Sequence, residues 1–586
     1  MKQKATAGKN GRRICAPAGD FLQKETKTTK VKASGAASPL NESRWDWLSP
    51  LLTPFGPSSF PSFASVKTLF LLLLFTTAAL CAAETPRRPK ILRLARTDDP
   101  MTLDPSTMLT MADGLLWPLL YLPLLDVTNR TDLVPCAARA WNVSPDQRVF
   151  TLWLRPGVKF SNGREVTAAD YVYGLERCLN PATGSSWSGF LKGIRGAQAF
   201  IDSKTNHVNG VRAPLADTLV IELERSDPAF LYFLTNLPGT AVPREEVERL
   251  GPAFSVRPVG NGPYVVQKWV RGARLQLARN PHYQGPEPQH LDGVDVLIGG
   301  DSTTLLMMFE RGELDVSQPP FPPFPSFLRL KNDPRWRGLI ERETLFGTLG
   351  IILNTTIPPL NNRLVRQAIN HAINRDLRMH VAQGRSTHAE GMLPPIIQGY
   401  NPRLLGYDYN PDKAREILRK SGLPLPLHTV LWHDPIYSDK AQGFQWDLDQ
   451  VGIKVELKAV SSSQLIQAMT RDRVPMAYSG YFSISPDPVD MLGGNFDGRT
   501  IKNDSAFNFA FYNNPEVNRL LDLAAPEVEL SKRYALYHQA EELIVRDAPW
   551  VFLGHPNLVV LRQPWIKGPL VEPLWWYRYD RVWIEK

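Results

Sequence analysis

The sequence predicts a mixed α/β protein made of two or three structural units. Three observations carry that expectation. The chain has 586 residues, more than one ordinary hydrophobic core organises. Short strand-like runs alternate with helical ones throughout residues 84–586, with no internal repeat and no low-complexity linker. Finally, 51 prolines work against long uninterrupted helices and favour many short elements joined by turns.

In chain order, residues 1–65 are rich in Lys, Ser and Pro and lack sustained apolar periodicity, so no core is expected there and the stretch reads as a disordered or untranslated extension. Lys67 is followed by the run Leu69-Phe-Leu-Leu-Leu-Leu-Phe and then by small residues up to Ala83. A basic residue, a short apolar run and small residues are the pattern of a secretory signal, here residues 66–83. The run is too short to span a bilayer, which takes about 20 apolar residues. Leu80 is too large to precede a lipid-modified Cys81, so cleavage near Ala83 is expected, giving a mature protein without a lipid anchor. A signal beginning this far along suggests Val66, read from a GTG codon, as the start of translation.

In the body, Ile91–Ala95, Val149–Leu154, Leu219–Leu223 and Lys454–Lys458 alternate in polarity as half-buried strands do. Thr167 followed by Asp170 reads as a helix N-terminus with a reciprocal cap. Leu364, Val365, Ala368, Ile369, Ala372 and Ile373 form one helical stripe. Asn410-Pro411, closing at Gly422, has an Asn cap, Pro in the first turn and a terminal Gly.

Composition excludes several functions. The net charge is +9, but residues 1–83 hold 11 Lys/Arg against 4 Asp/Glu, leaving 56 basic and 54 acidic residues downstream. A nucleic-acid binder concentrates positive charge on its folded body, and this body stands at only +2. Only Cys136 and Cys178 lie beyond residue 83, with no CxxC pair or Cys/His cluster, so no metal site is expected; a Cys136–Cys178 disulfide is left open. No nucleophile elbow, HExxH, P-loop or complete GxGxxG occurs, so neither catalytic residues nor a cofactor are expected. Val259-Gly-Asn-Gly-Pro-Tyr264 reads as a tight turn, because Pro263 removes a donor that a phosphate loop needs. His433-Asp434 reads as a solvated loop and Arg363 with Arg366 as a solvated helix edge. Trp575, Trp576 and Tyr577 suit either core packing or ligand stacking.

Several segments taken in order are more specific than any one of them. They are Leu103-Asp-Pro105, Leu154-Arg-Pro-Gly-Val-Lys-Phe-Ser-Asn-Gly163, Val166–Tyr173, Gly260–Tyr264, Leu277–Tyr283, Val365–Asp376, Pro411–Leu418 and Ser485-Pro-Asp-Pro488. This series resembles the extracellular solute-binding proteins of the dipeptide/oligopeptide/nickel class, which serve ABC importers, from about residue 90 to the end. Cys178–Trp187 and Pro573–Trp583 look closest to the oligopeptide-binding branch.

The resemblance implies a periplasmic-binding-protein type of α/β fold: two hinged lobes plus an inserted additional domain. Lobe I would cover 84–277 with the insertion at about 125–230, lobe II 278–555, and residues 556–586 would return to lobe I. The lobes would close over an oligopeptide, and closure would be read by an ABC permease in the inner membrane. The protein is expected to be a periplasmic monomer with no nucleic-acid partner. The peptide would lie as an added strand held by main-chain hydrogen bonds, between Met111, Ala112 and Asp113 on one lobe and Gly480, Tyr481 and Phe482 on the other. Ile484, Asp487 and His555 complete the expected ligand-binding set.

Two departures from the family pattern stand out. The acid that neutralises a peptide's α-ammonium is replaced by Ile484, and an Arg a few residues earlier by Tyr478. A buried ammonium without a partner loses several kcal/mol. Either Asp487, Asp490 or Asp113 takes the role, or the ligand is an N-blocked peptide, a cell-wall fragment or a sugar. A sensory binding protein would share the same sequence features, and an exported hydrolase has less support.

Overall fold

The computed structural model describes residues 89–585 apart from 109–114, 129–130, 318–323, 503–506 and 575–576. The predicted signal at 66–83 and the stretch before it lie outside the described residues.

Three sheets organise the body. The first has four strands in the order Ile91–Arg96, Gly293–Ile298, Arg274–Arg279, Tyr264–Val270. Ile91–Arg96 runs parallel to Gly293–Ile298, which pairs antiparallel with Arg274–Arg279. Its first two neighbours are therefore about 200 residues apart in sequence, and this sheet extends past residue 277.

The second sheet is wholly antiparallel, in the order Ala138–Val143, Val149–Leu154, Thr218–Glu222, Val211–Leu215. It is threaded between the first and second strands of the first sheet, which makes it an insertion. Val149–Leu154 alternates strictly between half-exposed and buried residues, because only one face meets the core. That core is separate, drawing on Leu122 to Ala241. The helix Ala168–Leu179 covers it, and its predicted cap is present, with the Thr167 N–H donating to Asp170 Oδ2 at 2.8 Å.

The third sheet has the path Ile340–Thr344, Trp550–Leu561, Gly347–Leu353, Met476–Phe482, Leu427–His433, Ile453–Ala459, with Ser386–His388 also on Trp550–Leu561. All twelve residues of Trp550–Leu561 are buried. The helix Arg363–Ala372 lays Val365, Ala368, Ile369 and Ala372 on this sheet as the stripe predicts. Asn410 caps Pro411–Lys420 by accepting from the Lys413 N–H at 2.9 Å.

The C-terminal segment returns to the first part of the chain. Arg578, buried, donates to Asp126 at 3.0 Å, Glu572 at 3.0 Å and Asp580 at 2.9 Å, and Arg581 reaches Asp126 at 2.6 Å. The Gly-rich turn 259–264 has a packing role: a Cβ on Gly262 would come 2.3 Å from the Leu120 carbonyl carbon, and Asn261 accepts the Leu122 N–H.

Cys136 and Cys178 are free, buried thiols, so the disulfide is not formed; burial pushes Cys178 up to about 11. Some local expectations fail. Arg366 is not on a solvated edge: it is buried and donates to the carbonyls of Asp547 and Leu360. His433 is buried at the end of its strand, not in a solvated loop. Tyr577 is core, stacked on Tyr579 with centroids 5.3 Å apart, while Trp575 and Trp576 lie outside the described residues.

Candidate functional site

The site grows from the strand Met476–Phe482. One side pairs along its whole length with Gly347–Leu353. On the other side Leu427–His433 pairs with Met476 and Ala477 alone. Among the described residues, no further strand covers that edge from Tyr478 onward. The run Tyr478–Tyr481 on that edge contains the predicted residues Gly480 and Tyr481, and the predicted Phe482 ends the strand. An edge of this kind offers alternate N–H and C=O groups to an extended chain.

The loop that follows is fixed by one carboxylate. Buried Asp490 accepts from Tyr481 Oη at 2.5 Å, Ser483 Oγ at 2.6 Å and the Ile484 N–H at 2.9 Å. Burial raises its pKa, and the hydrogen bonds oppose the rise. With three donors already on it, Asp490 is committed to shaping the loop.

Asp487 is also engaged. It accepts from Arg533 Nη2 and from the Val489 N–H, both at 2.9 Å, and both partners of the ion pair are buried. Arg533 spends Nη1 on the carbonyls of Ala525 and Glu527. Asp227, from the loop before Phe230, faces the same pair. Burial pushes Asp227 up to about 6, the Asp487 charge adds to the rise, and the Ala229 N–H, Arg533 and Arg225 oppose it.

Ile484 stands where the family's acid is expected. Its side chain packs on the apolar core of the inserted domain, and its carbonyl accepts from Asn236 Nδ2 at 3.0 Å. Beside it, Gln398 Nε2 donates to Thr131 Oγ1 at 3.1 Å and Tyr232 Oη at 3.3 Å, and Tyr534 Oη donates back to Gln398 Oε1 at 3.3 Å. The Gln398 N–H holds the Pro486 carbonyl at 3.1 Å.

A narrow space of about 10 Å³, room for no more than a single water, lies at this junction, lined by Val127 and Thr131 from the first part of the chain, Phe346 and Pro486 from the second, and Pro573 and Leu574 from the returning segment. Three distant stretches thus meet around one space. His555 lies deeper: it is buried, its Nδ1 is 2.9 Å from Thr348 Oγ1, and burial lowers it to about 4. Met111, Ala112 and Asp113 lie outside the described residues. The structure therefore groups Tyr481, Ile484 and Asp487 within one loop network and sets His555 apart from it. Sequence reading misses Thr131, Asp227, Tyr232, Asn236, Gln398, Arg533 and Tyr534. None belongs to a motif, and only Asp227, ahead of Pro228, has a local signal, as a turn.

No helix among the described residues is long and apolar enough to cross a membrane, and none of them groups three or more potential metal ligands. Similarity to known proteins agrees with this architecture. The chain is 28% identical over 474 residues to the protein named "Probable di/tripeptide-binding protein 5" of Pseudomonas aeruginosa, covering 78% of this chain and 88% of that one. It is 28% identical over 484 residues to the glutathione-binding protein GsiB of Pectobacterium atrosepticum, covering 81% and 89%. Among solved structures, the periplasmic binding protein DppA of Helicobacter pylori, in complex with the peptide STSA, superposes with a TM-score of 0.75 at 25% identity over 85% of this chain and 98% of that one. The murein tripeptide binding protein MppA of Escherichia coli gives 0.74 at 25% identity, over 85% and 99%. Residues 132–503, more than half of the chain, match the family described as bacterial extracellular solute-binding proteins, family 5 Middle, and the chain belongs to that family.

Proposed function

We propose that this protein captures short peptides between its lobes and presents them to the permease of an ABC importer. The observation that carries the reading is the edge of the strand Met476–Phe482 from Tyr478 to Tyr481, which no strand among the described residues covers. A peptide added there is held through groups that every peptide has, so side-chain identity matters little. The names of the relatives, which bind di/tripeptides, glutathione and a murein tripeptide, support a short peptide as the cargo.

The α-ammonium has few places to go. Ile484 has no charge, Asp490 serves the loop, and Asp487 is paired with Arg533. Asp113 is left as the anchor. We divide the chain into lobe I, running to the strand that ends at Ile298 and interrupted by the inserted domain, and lobe II, built on the third sheet. The remainder from about residue 562, after the strand Trp550–Leu561 of the third sheet, returns to lobe I, rather than from the expected 556. Export through the signal at 66–83 gives a periplasmic monomer.

Thermal shift on the purified protein tests the reading. Trialanine and glutathione are expected to raise the melting temperature by mass action, and glucose to leave it unchanged. A shift with glucose and none with either peptide overturns the assignment.

A further inference from the structure

The position at which the family places its ligand-facing acid here joins the lobes to each other. We infer that Asn236, Ile484 and Gln398 form a latch, so that closure is held by direct lobe-to-lobe contacts in addition to the ligand. The inference rests on the peptide-binding reading above.

Ile484 contributes twice. Its side chain packs on the apolar core drawn from Leu122 to Ala241, and its carbonyl takes the Asn236 amide at 3.0 Å. An acid at 484 would press a charge against that apolar surface, where it loses its hydration without gaining a partner. The residue that weakens ammonium binding is thus the residue that lets the lobes touch. Gln398 makes the second fastening, at 3.1 Å to Thr131 and 3.3 Å to Tyr232. It is held in place from its own side by the Tyr534 hydroxyl and the Pro486 carbonyl. A side chain fixed from behind gives up less conformational freedom when it makes the contact. The two fastenings are joined through the segment Ile484–Pro486, whose geometry Asp490 sets.

Contacts made only in the closed form shift the open–closed equilibrium, and ligand affinity follows the closed fraction. Each hydrogen bond lost from the latch is expected to lower peptide affinity about 5-fold, mainly by faster dissociation.

The test uses the full chain carrying Asn236→Ala, Gln398→Ala or Ile484→Ala, with small-angle scattering and stopped-flow binding of trialanine and glutathione. The latch predicts a larger radius of gyration without peptide, return to the wild-type compact value at saturating peptide, and raised dissociation rates. A role confined to folding would lower the melting temperature without changing the radius or the dissociation rate, and so would reject the latch; half-exposed Gln398 guards against a variant that fails to fold. Wild-type radius and rates in all three variants reject it too. Wild-type protein that binds neither peptide rejects the cargo assignment, and the scattering of the unliganded variants still decides the latch.

Discussion

Replacing Asp227 with Asn should stabilise the protein above pH 6 and leave it unchanged near pH 4. Asp227 is pushed up from 3.8 to about 6 by burial and by the neighbouring Asp487 charge. Its folded-state pKa lies above the unfolded one, so between these values the folded state holds more protons than the unfolded state. Stability therefore falls as pH rises from about 4 to about 6, and the full loss is present above that. A difference of about 2 pKa units corresponds to about 3 kcal/mol. Asp227 keeps some exposure to solvent, which trims the gain to about 2 kcal/mol. Asn keeps the acceptor for the Ala229 N–H, 3.0 Å away in the wild type, and carries no charge. Over an ordered body of about 500 residues, unfolding entropy near 2 cal/mol/K per residue turns that gain into a rise of about 2 °C in melting temperature. Differential scanning calorimetry of both proteins at pH 4 and pH 7.5 is the assay. A difference that does not change with pH, or a less stable Asn variant at pH 7.5, would show that Arg533 and Arg225 over-compensate the carboxylate, and would refute the reasoning.

Three further outcomes follow from other parts of the molecule. Replacing Arg533 with Met strands Asp487 in the interior and should cost about 3–5 kcal/mol, and adding Asp487→Ala should recover part of that loss; strictly additive losses in denaturant melts would contradict the pair. Gly262→Ala forces a methyl against the Leu120 backbone and should abolish soluble expression, whereas an unchanged melting temperature would show that the turn yields. His555 is lowered to about 4 by burial, so its ring protons should keep one chemical shift between pH 5 and 8, and a titration midpoint near 6.5 would place the ring in solvent.

Elements whose cause is local are legible in the sequence. The strand Val149–Leu154 announces itself because one face is buried, and the helix after Asn410 because its cap and its closing Gly sit within a dozen residues. Arg366 misleads for the opposite reason. Its neighbours mark a helix edge, but its guanidinium meets the Asp547 carbonyl, about 180 residues further on. The strand that forms the site is reached only through the family resemblance, since Met476–Phe482 has no alternation to mark it. The interlobe contacts share this long range: Asn236 with Ile484 and Thr131 with Gln398 are each more than 200 residues apart. A local pattern contains nothing of such pairings. Asp490 illustrates the limit from another side, because an acid beside an expected anchor position looks available until its three donors are located.

The large sheet has its most buried strand, Trp550–Leu561, near the end of the chain, between partners that begin at residues 340 and 347. A ribosome has therefore delivered more than nine-tenths of the polypeptide before that sheet can zip up. Contacts of such sequence separation assemble slowly. The nascent protein thus stays unfinished through almost all of its synthesis, which suits the export proposed above, since a chain threaded across a membrane must not take shape beforehand.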